Sequence, residues 1–259
     1  MSVPSKRTTD TIASIERKKG LYVIKAGAWS VSLSPSMYLE ELLYVSKELS
    51  HNDKIRLEHL AALSAPMEYA HRLLSRSSYS VHCLKEKLLL KYPECEDLNE
   101  IVFRLKKEGL LDDAAYAEAY KLSKEASLYG PNRIIDELRY KKGIHPDVLA
   151  ALSFAPEEEQ LKRLFPLLDR KYQGIPYSKK VEKIKKSMID RGYSRENSAS
   201  FATRASVDQK ALDKRFRADV EKAKRLYGRK YEGYERKQRI IRSLLSKGYS
   251  MKMIEEVQL

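Results

Sequence analysis

Alternating apolar and polar positions mark the first part of the chain. Between residues 11 and 33 the side chains alternate with a period of two, and short Lys-Lys-Gly and Ala-Gly sequences interrupt the alternation. This pattern predicts two or three short β-strands. The leucines of residues 36–50 follow helical spacing instead, and a further short helix is predicted over residues 52–63.

From residue 66 onward the apolar positions follow helical spacing alone. A helix is predicted to begin at Pro66, because proline suits the first turn of a helix. Ser80 is a suitable N-cap for the next helix, which Pro93 ends. Gly109 ends the helix after that. Three consecutive helices are therefore expected before residue 110.

The same three-helix arrangement recurs three more times. Its most regular element is a basic amphipathic middle helix that ends in Lys-Gly or Arg-Gly, and the Arg-Gly-Tyr-Ser of residues 191–194 nearly repeats as Lys-Gly-Tyr-Ser at 247–250. In the third unit, Ser178 is expected to open the middle helix, and Pro166 should bend or break the helix before it. Three-helix units of roughly fifty residues predict a tandem array whose core lies between neighbouring units.

The predicted fold class is therefore all-α. We expect tandem three-helix repeats in an elongated curved array, preceded by a small N-terminal β segment. The expected boundaries are 1–65 for the short strands plus a helix, and 66–110, 111–156, 157–207 and 208–259 for repeats one to four.

Charge is unevenly distributed along the chain. The net charge is +14, from 50 basic and 36 acidic residues. Residues 157–204 contribute +5 and residues 205–259 contribute +7, whereas residues 66–156 have equal numbers of basic and acidic side chains. This lopsided basic half favours a polyanion or an acidic protein surface as partner.

Several classes of protein are disfavoured by what the sequence lacks. It has no glycine-rich phosphate loop and no HExxH motif, and its two cysteines, Cys83 and Cys95, are too few for a disulfide framework or a four-ligand zinc site. No apolar run approaches the roughly 20 residues that span a bilayer. The first ten residues lack the apolar stretch of a signal peptide. We expect a reduced, cytoplasmic protein without a cofactor or a metal.

The adjacent carboxylates of Asp112 and Asp113 are the most conspicuous acidic pair. Because they follow the predicted stop at Gly109, capping of the next helix accounts for them. An alternative is a metal-dependent nuclease, but such a site needs a clustered set of acidic ligands, and the sequence offers no second acidic cluster near a histidine. No enzymatic activity is expected.

Basic side chains lie opposite the apolar positions of the predicted middle helix in the third repeat. Val181, Ile184 and Met188 share one side, and three lysines share the other. Lysines one helical turn apart, roughly 5 Å, can follow a row of phosphates or an acidic ridge.

A second basic stretch interleaves arginine and lysine with tyrosine near the C-terminus. Tyrosine beside arginine suits stacking on nucleobases. A core role is equally compatible with Tyr227 and Tyr231, which are four residues apart. The candidate DNA- or filament-binding residues are Lys179, Lys183, Lys186, Lys222, Arg225, Arg229, Lys230, Tyr231, Arg236, Arg239 and Arg242.

Residues 70–144 resemble the RecX regulatory proteins of bacteria. The resemblance rests on LLSRSSYSVHCLKEKLLLK at 73–91, RLKKEGLLDDAAYAEAYKLSK at 104–124 and YGPNRIIDELRYKKGI at 129–144. Each of these segments alone is a weak signal of the family, but their combination is specific. The N-terminal β segment is also similar to that of the longer family members. Tyr92-Pro93, in place of the usual Lys-Gly, and Pro166 depart from the family pattern.

The resemblance implies four three-helix repeats, as in long members of the family, and a non-enzymatic role in DNA repair, recombination and the SOS response. It implies binding to the RecA filament on single-stranded DNA, which restrains ATP hydrolysis and strand exchange. The expected partners are the RecA filament and single-stranded DNA, with no membrane contact, and the chain is expected to be a monomer. The alternative is a helical DNA- or RNA-binding protein without a RecA partner, which would not need RecA for tight binding.

Overall fold

The computed structural model describes residues 10–258. Five strands lie at the N-terminal end: β1 (Asp10–Thr11), β2 (Ser14–Lys18), β3 (Leu21–Ala26), β4 (Trp29–Leu33) and β5 (Glu48–Leu49). The strands β2, β3 and β4 form an antiparallel sheet in that order, and β1 pairs antiparallel with β5. The predicted short strands are confirmed.

The predicted helix over residues 36–50 is wrong in its second half. Helix α1 covers only Pro35–Glu40. After it, Leu42 and Ser46 have positive φ angles of 45° and 74°, which end helical geometry. The chain turns here because the backbone N–H of Ser46 donates to the carbonyl of Ile12, which brings β5 beside β1.

The predicted helix start at Pro66 is also wrong. Helix α2 runs without interruption over His51–Leu74, opened by a capping box between Ser50 and Asp53. Proline lacks the N–H that would bond to the fourth residue before it, so the helix loses one hydrogen bond. Burial offsets that loss, since the apolar side of α2 continues through Pro66 into the core. The boundary expected between residues 65 and 66 thus lies inside a helix.

The rest of the described chain is helical. The helices are α3 (Val81–Lys91), α4 (Leu98–Lys107), α5 (Asp113–Ala126), α6 (Pro131–Asp136), α7 (Pro146–Ala150), α8 (Glu157–Lys171), α9 (Tyr177–Asp190), α10 (Arg195–Ala202), α11 (Gln209–Gly228), α12 (Gly233–Ser246) and α13 (Met251–Glu255). A π-helical turn over Glu137–Lys141 continues α6. The predicted all-α class with a small β segment is confirmed.

Two details of the predicted helices differ from the structure. Pro166 lies inside α8 and does not break it. Ser178 does not open α9, because Pro176 occupies the N-cap and Ser178 lies in the first turn. The predicted cap at Ser80 and the predicted stop at Gly109, with a φ of 72°, are confirmed.

The described residues belong to two compact units. One lies within Met1–Ala117 and Lys142–Val148, and the other within Glu118–Lys141 and Leu149–Leu259. In the second unit, α8, α9 and α10 enclose one apolar cluster, and α11, α12 and α13 enclose another. Each group of three helices therefore buries a core of its own.

Glycines with positive φ make the tightest contacts within these units. In the second unit, a Cβ on Gly192 (φ 95°) would meet the backbone of Arg133 at less than 3 Å, and one on Gly248 (φ 89°) would lie 2.6 Å from Cγ of Lys179. In the first unit, Gly143 (φ 63°) packs in the same way against the ring of His82. In each contact, the end of one middle helix meets the first turn of an earlier one.

Backbone hydrogen bonds fasten the Gly192 contact. The N–H of Gly130 donates to the carbonyl of Arg191 at 2.8 Å, and the N–H of Asn132 donates to the carbonyl of Gly192 at 3.1 Å. The guanidinium of Arg133 donates to the carbonyl of Asp190 at 2.9 Å. Glycine is required here because of both its conformation and the close approach of the backbones.

Glu137 fastens the π-helical turn to its surroundings. Its carboxylate accepts from Tyr120 Oη at 2.6 Å and from Arg133 Nε at 3.2 Å, and Lys124 Nζ lies 2.7 Å away. Burial alone would raise the pKa of Glu137. The hydrogen bonds from Lys124, Tyr120 and Arg133 outweigh burial and lower this pKa to about 2.

Replacing Gly192 with alanine should destabilise the protein more than the same change at Gly109. Both residues have positive φ, but nothing lies within 4 Å of a Cβ on Gly109. We expect Gly109→Ala to cost about 1–2 kcal/mol for its conformation. Gly192→Ala should cost about 2 kcal/mol more, because its Cβ overlaps backbone. Urea unfolding of the two variants measures this difference in unfolding free energy. Equal losses would mean that the backbone around Gly192 shifts to accept the extra Cβ at little cost.

The stability that Glu137 contributes should depend on pH. Because its pKa in the folded state is lowered from 4.5 to about 2, the contribution is complete above the unfolded value and is lost as pH falls from about 5 to about 2. Its upper limit is about 3 kcal/mol. The difference in unfolding free energy between wild type and Glu137→Gln should therefore shrink over this range. An unchanging difference for Glu137→Gln across this range would contradict the account.

Candidate nucleic-acid interface

A basic groove lies in the second unit between the start of α9, the side of α11 and the end of α12. Two acidic side chains, those of Glu182 and Asp219, also line it. The basic side chains that line the groove are those of Lys179, Lys183, Arg215, Lys222 and Lys247. Positive charge is therefore in excess along the groove.

The glycine contact at Gly248 positions one wall of the groove. Because Gly248 has no side chain, the first turn of α9 approaches the end of α12, and Lys179 packs over the glycine. On the α11 side, Arg215, Asp219 and Lys222 are four and three residues apart, so they share one face of the helix. The two sets of basic residues thus face a common groove.

Asp219 neutralises one of the five cations. Its carboxylate lies 2.6 Å from Lys247 Nζ and accepts a hydrogen bond from Tyr249 Oη at 2.8 Å. Burial alone would raise the pKa of Asp219, but the bonds from Lys247 and Tyr249 lower it below its ordinary value. Burial and the neighbouring Asp219 raise the pKa of Tyr249, which therefore stays a hydrogen-bond donor. These three side chains form a fixed wall.

Of the four remaining cations in the groove, three have no acidic partner among the described residues. Lys179 forms an exposed ion pair with Glu182 at 2.9 Å, which contributes little. Within residues 10–258, Lys183, Arg215 and Lys222 form no ion pair. Cations without an acidic partner can bind a row of phosphates, and the counterions released from the phosphates favour this binding.

The predicted faces of α9 agree with the structure in part. Ile184 and Met188 are fully buried, and Lys183 and Lys186 are exposed. Val181 and Lys179 are only half-buried, and Lys179 packs on Gly248. Lys186 does not line the groove. Lys180, in contrast, is buried: its Nζ lies 2.7 Å from the Asp169 carboxylate and donates to the carbonyl of Ser206.

The C-terminal candidates lie elsewhere. The guanidinium carbon of Arg239 is 4.0 Å from the centroid of the Tyr231 ring, and Arg239 also bonds to Glu235 at 3.1 Å. Tyr227 packs against the apolar cluster of α11–α13. The predicted residues that do not line the groove are Lys186, Arg225, Arg229, Lys230, Tyr231, Arg236, Arg239 and Arg242.

Sequence reasoning missed two groove residues, Arg215 and Lys247. For Arg215 a signal was present, because its spacing to Asp219 and Lys222 places all three on one face of α11. Lys247 follows the end of α12, and its position beside α9 depends on the contact at Gly248. Only the folded structure brings it to the groove.

The two adjacent carboxylates hold helix ends. Asp112 Oδ1 accepts from the backbone N–H groups of Ala114 and Ala115 at 2.8 and 3.0 Å, as the capping prediction requires. Asp113 Oδ1 accepts from the N–H of Val81 at 2.9 Å, at the start of α3. Among residues 10–258, no group of three His, Cys, Asp or Glu side chains is arranged to hold a metal ion.

None of the helices within residues 10–258 combines the length and apolar character that a membrane span requires.

Comparisons with known proteins agree on one family. Residues 210–257, within the predicted fourth repeat, match the family model for the third three-helix domain of RecX. The chain is 25% identical to the regulatory protein RecX of Streptococcus gordonii over 95% of this chain and 97% of that protein. Identity to the regulatory protein RecX of Oceanobacillus iheyensis is 27%, over 88% and 86% of the two chains. The chain is thus similar to RecX regulatory proteins over most of its length.

A solved RecX structure supports the fold. The crystal structure of a regulatory protein RecX matches with a TM-score of 0.57 and 22% identity, over 73% of this chain and 96% of that one. At this identity the likeness concerns the fold alone. The helical architecture described above is therefore similar to the fold of that solved structure.

Replacing Lys183, Arg215 and Lys222 with alanine should weaken binding to single-stranded DNA and flatten its salt dependence. If all three contact phosphates, the slope of log K against log salt should change by about 2, at roughly 0.7 per phosphate. All three side chains are exposed, so folding should be unaffected. Titrations over a salt series measure the slope.

A matched control removes the same charge from α8, with alanine at Lys162, Arg163 and Arg170, which are exposed outside the groove. This control should keep most of the slope. An equal loss from both triple variants would show that net charge, and not the groove, governs binding.

Proposed function

We propose that this chain is a RecX-family protein and a non-enzymatic modulator of homologous recombination. In this proposal it binds the RecA filament on single-stranded DNA and restrains ATP hydrolysis and strand exchange. The observation that carries the proposal is the basic groove, in which Lys183, Arg215 and Lys222 have no acidic partner among the described residues. The family supplies the recombinase partner, and the groove supplies contact chemistry for the DNA.

Contacts with the DNA and contacts with the RecA protein would have different roles in this proposal. Contacts between cations and phosphates carry affinity but no sequence information. A groove of this kind would bind any accessible single strand. Preference for a RecA filament must therefore come from additional contacts with the protein component, which naked DNA lacks.

We also propose four three-helix repeats with the boundaries 66–110, 111–156, 157–207 and 208–259. The separate apolar clusters of α8–α10 and α11–α13 support the last two. The recurring glycine contacts at Gly143, Gly192 and Gly248 support a common way of joining neighbours. In the first repeat, the C-terminal half of α2 would serve as the first helix.

We propose further that the chain acts as a monomer in the cytoplasm, without a membrane partner. Within residues 10–258, neither Cys83 nor Cys95 forms a disulfide. Cysteines in the thiol form suit a reducing compartment.

A helical DNA- or RNA-binding protein without a RecA partner is the second candidate. The groove itself favours it, because a row of cations needs no protein partner to bind a polyanion. The two functions differ in one respect: only the first requires RecA for tight binding.

The decisive assay is the ATPase of RecA on single-stranded DNA with substoichiometric amounts of the chain. We expect inhibition, with no ATP hydrolysis by the chain alone. The alanine variant of Lys183, Arg215 and Lys222 should inhibit less than the control variant of Lys162, Arg163 and Arg170. Full binding to naked DNA without any effect on RecA would reject the filament function in favour of the second candidate.

A further inference from the structure

A second groove lies in the same unit, between α6 with its π-helical turn and the end of α9. Its position corresponds to that of the basic groove. Arg133 packs on Gly192 at this groove, as Lys179 packs on Gly248 at the other. The same junction between successive middle helices therefore produces both grooves.

The charges of the second groove differ from those of the first. Its basic side chains, from Arg133, Lys141 and Arg195, are matched in number by its acidic ones. The acidic side chains are those of Asp136, Glu137 and Asp190. A groove without excess positive charge does not attract a row of phosphates, so its ligand must be recognised by other means.

An exposed aromatic ring borders this groove. Tyr140 is 74% exposed and stands on the π-helical turn. Such turns insert one extra residue into a helix and often occur at functional sites. The turn is rigid here, because Glu137 is bonded to Arg133, Tyr120 and Lys124. The ring is thus presented by a fixed backbone.

Polar groups with unused hydrogen-bonding capacity line the same groove as the ring. Within residues 10–258, the side chains of Asn132, Asp136, Asp190 and Arg195 form no hydrogen bond or ion pair with another side chain or with the backbone. They offer both donors and acceptors. A flat ring beside mixed donors and acceptors is the combination that nucleobases require, since bases stack on one face and bond along one edge.

We infer that this second groove binds a nucleobase of a single-stranded nucleic acid, stacked on Tyr140 and bonded along its edge by Asn132 and the neighbouring carboxylates. The inference rests on the proposed binding of single-stranded DNA and adds a base contact to the phosphate contacts of the basic groove. One unit thereby holds a phosphate site and a base site at two equivalent junctions.

The test compares two probes without RecA: an oligonucleotide of deoxythymidine and an abasic oligonucleotide of the same length. Tyr140→Ala should weaken binding to the thymidine probe about 5-fold or more, the effect of losing one stacked base. Binding to the abasic probe and the salt slope should not change. Tyr140→Phe should retain binding, because the ring remains.

Two further variants complete the design. Tyr44, which is 63% exposed in the first unit, is the control, and Tyr44→Ala should leave both affinities unchanged. Asn132→Ala removes an edge contact and should also weaken only the thymidine complex. This second variant tests the site independently of any effect of Tyr140 on the π-helical turn.

Three results would overturn the inference. Wild-type affinity of Tyr140→Ala and Asn132→Ala for the thymidine probe would reject the base site and leave the phosphate groove and the proposed function standing. Equally weakened binding of Tyr140→Ala to both probes would show that Tyr140 supports the structure and does not recognise a base. Failure of the wild-type chain to bind either probe would reject the inference together with the DNA contact of the proposed function.

Discussion

The close approach of helix ends at positive-φ glycines is the constraint on which the rest of the structure depends. At Gly143, Gly192 and Gly248 the chain leaves a middle helix in a conformation that other residues adopt only at a cost. At each, a Cβ would overlap the first turn of an earlier middle helix. The absence of one side chain therefore sets how closely two helices pack. That distance decides which polar residues share a groove.

Electrostatics then gives the two grooves of the second unit different properties. Around Gly248, Asp219 neutralises Lys247, and Lys183, Arg215 and Lys222 keep their charges. Around Gly192, acidic and basic side chains are balanced and Tyr140 is exposed. In the two proposals, one type of backbone junction thus serves both phosphate attraction and base stacking. A single strand of nucleic acid presents both groups.

Much of the fold was predictable because its signals are local. The cap at Ser80 and the stop at Gly109 depend on residues close in sequence. Pro66 misled because tertiary burial outweighed its local cost, as the continuous apolar side of α2 shows. The site was predictable only in part. Helical spacing places Lys183 on an exposed face, but its position opposite Lys222 follows from a contact between distant segments.

Photo-cross-linking from position 183 in a RecA filament on single-stranded DNA tests the central claim most directly. A photoreactive amino acid in place of Lys183 should cross-link to DNA. The same group in place of Lys162, which is exposed on α8 outside the groove, should give little DNA product. Cross-links from position 183 to RecA alone, or equal DNA yields from the two positions, would contradict the account.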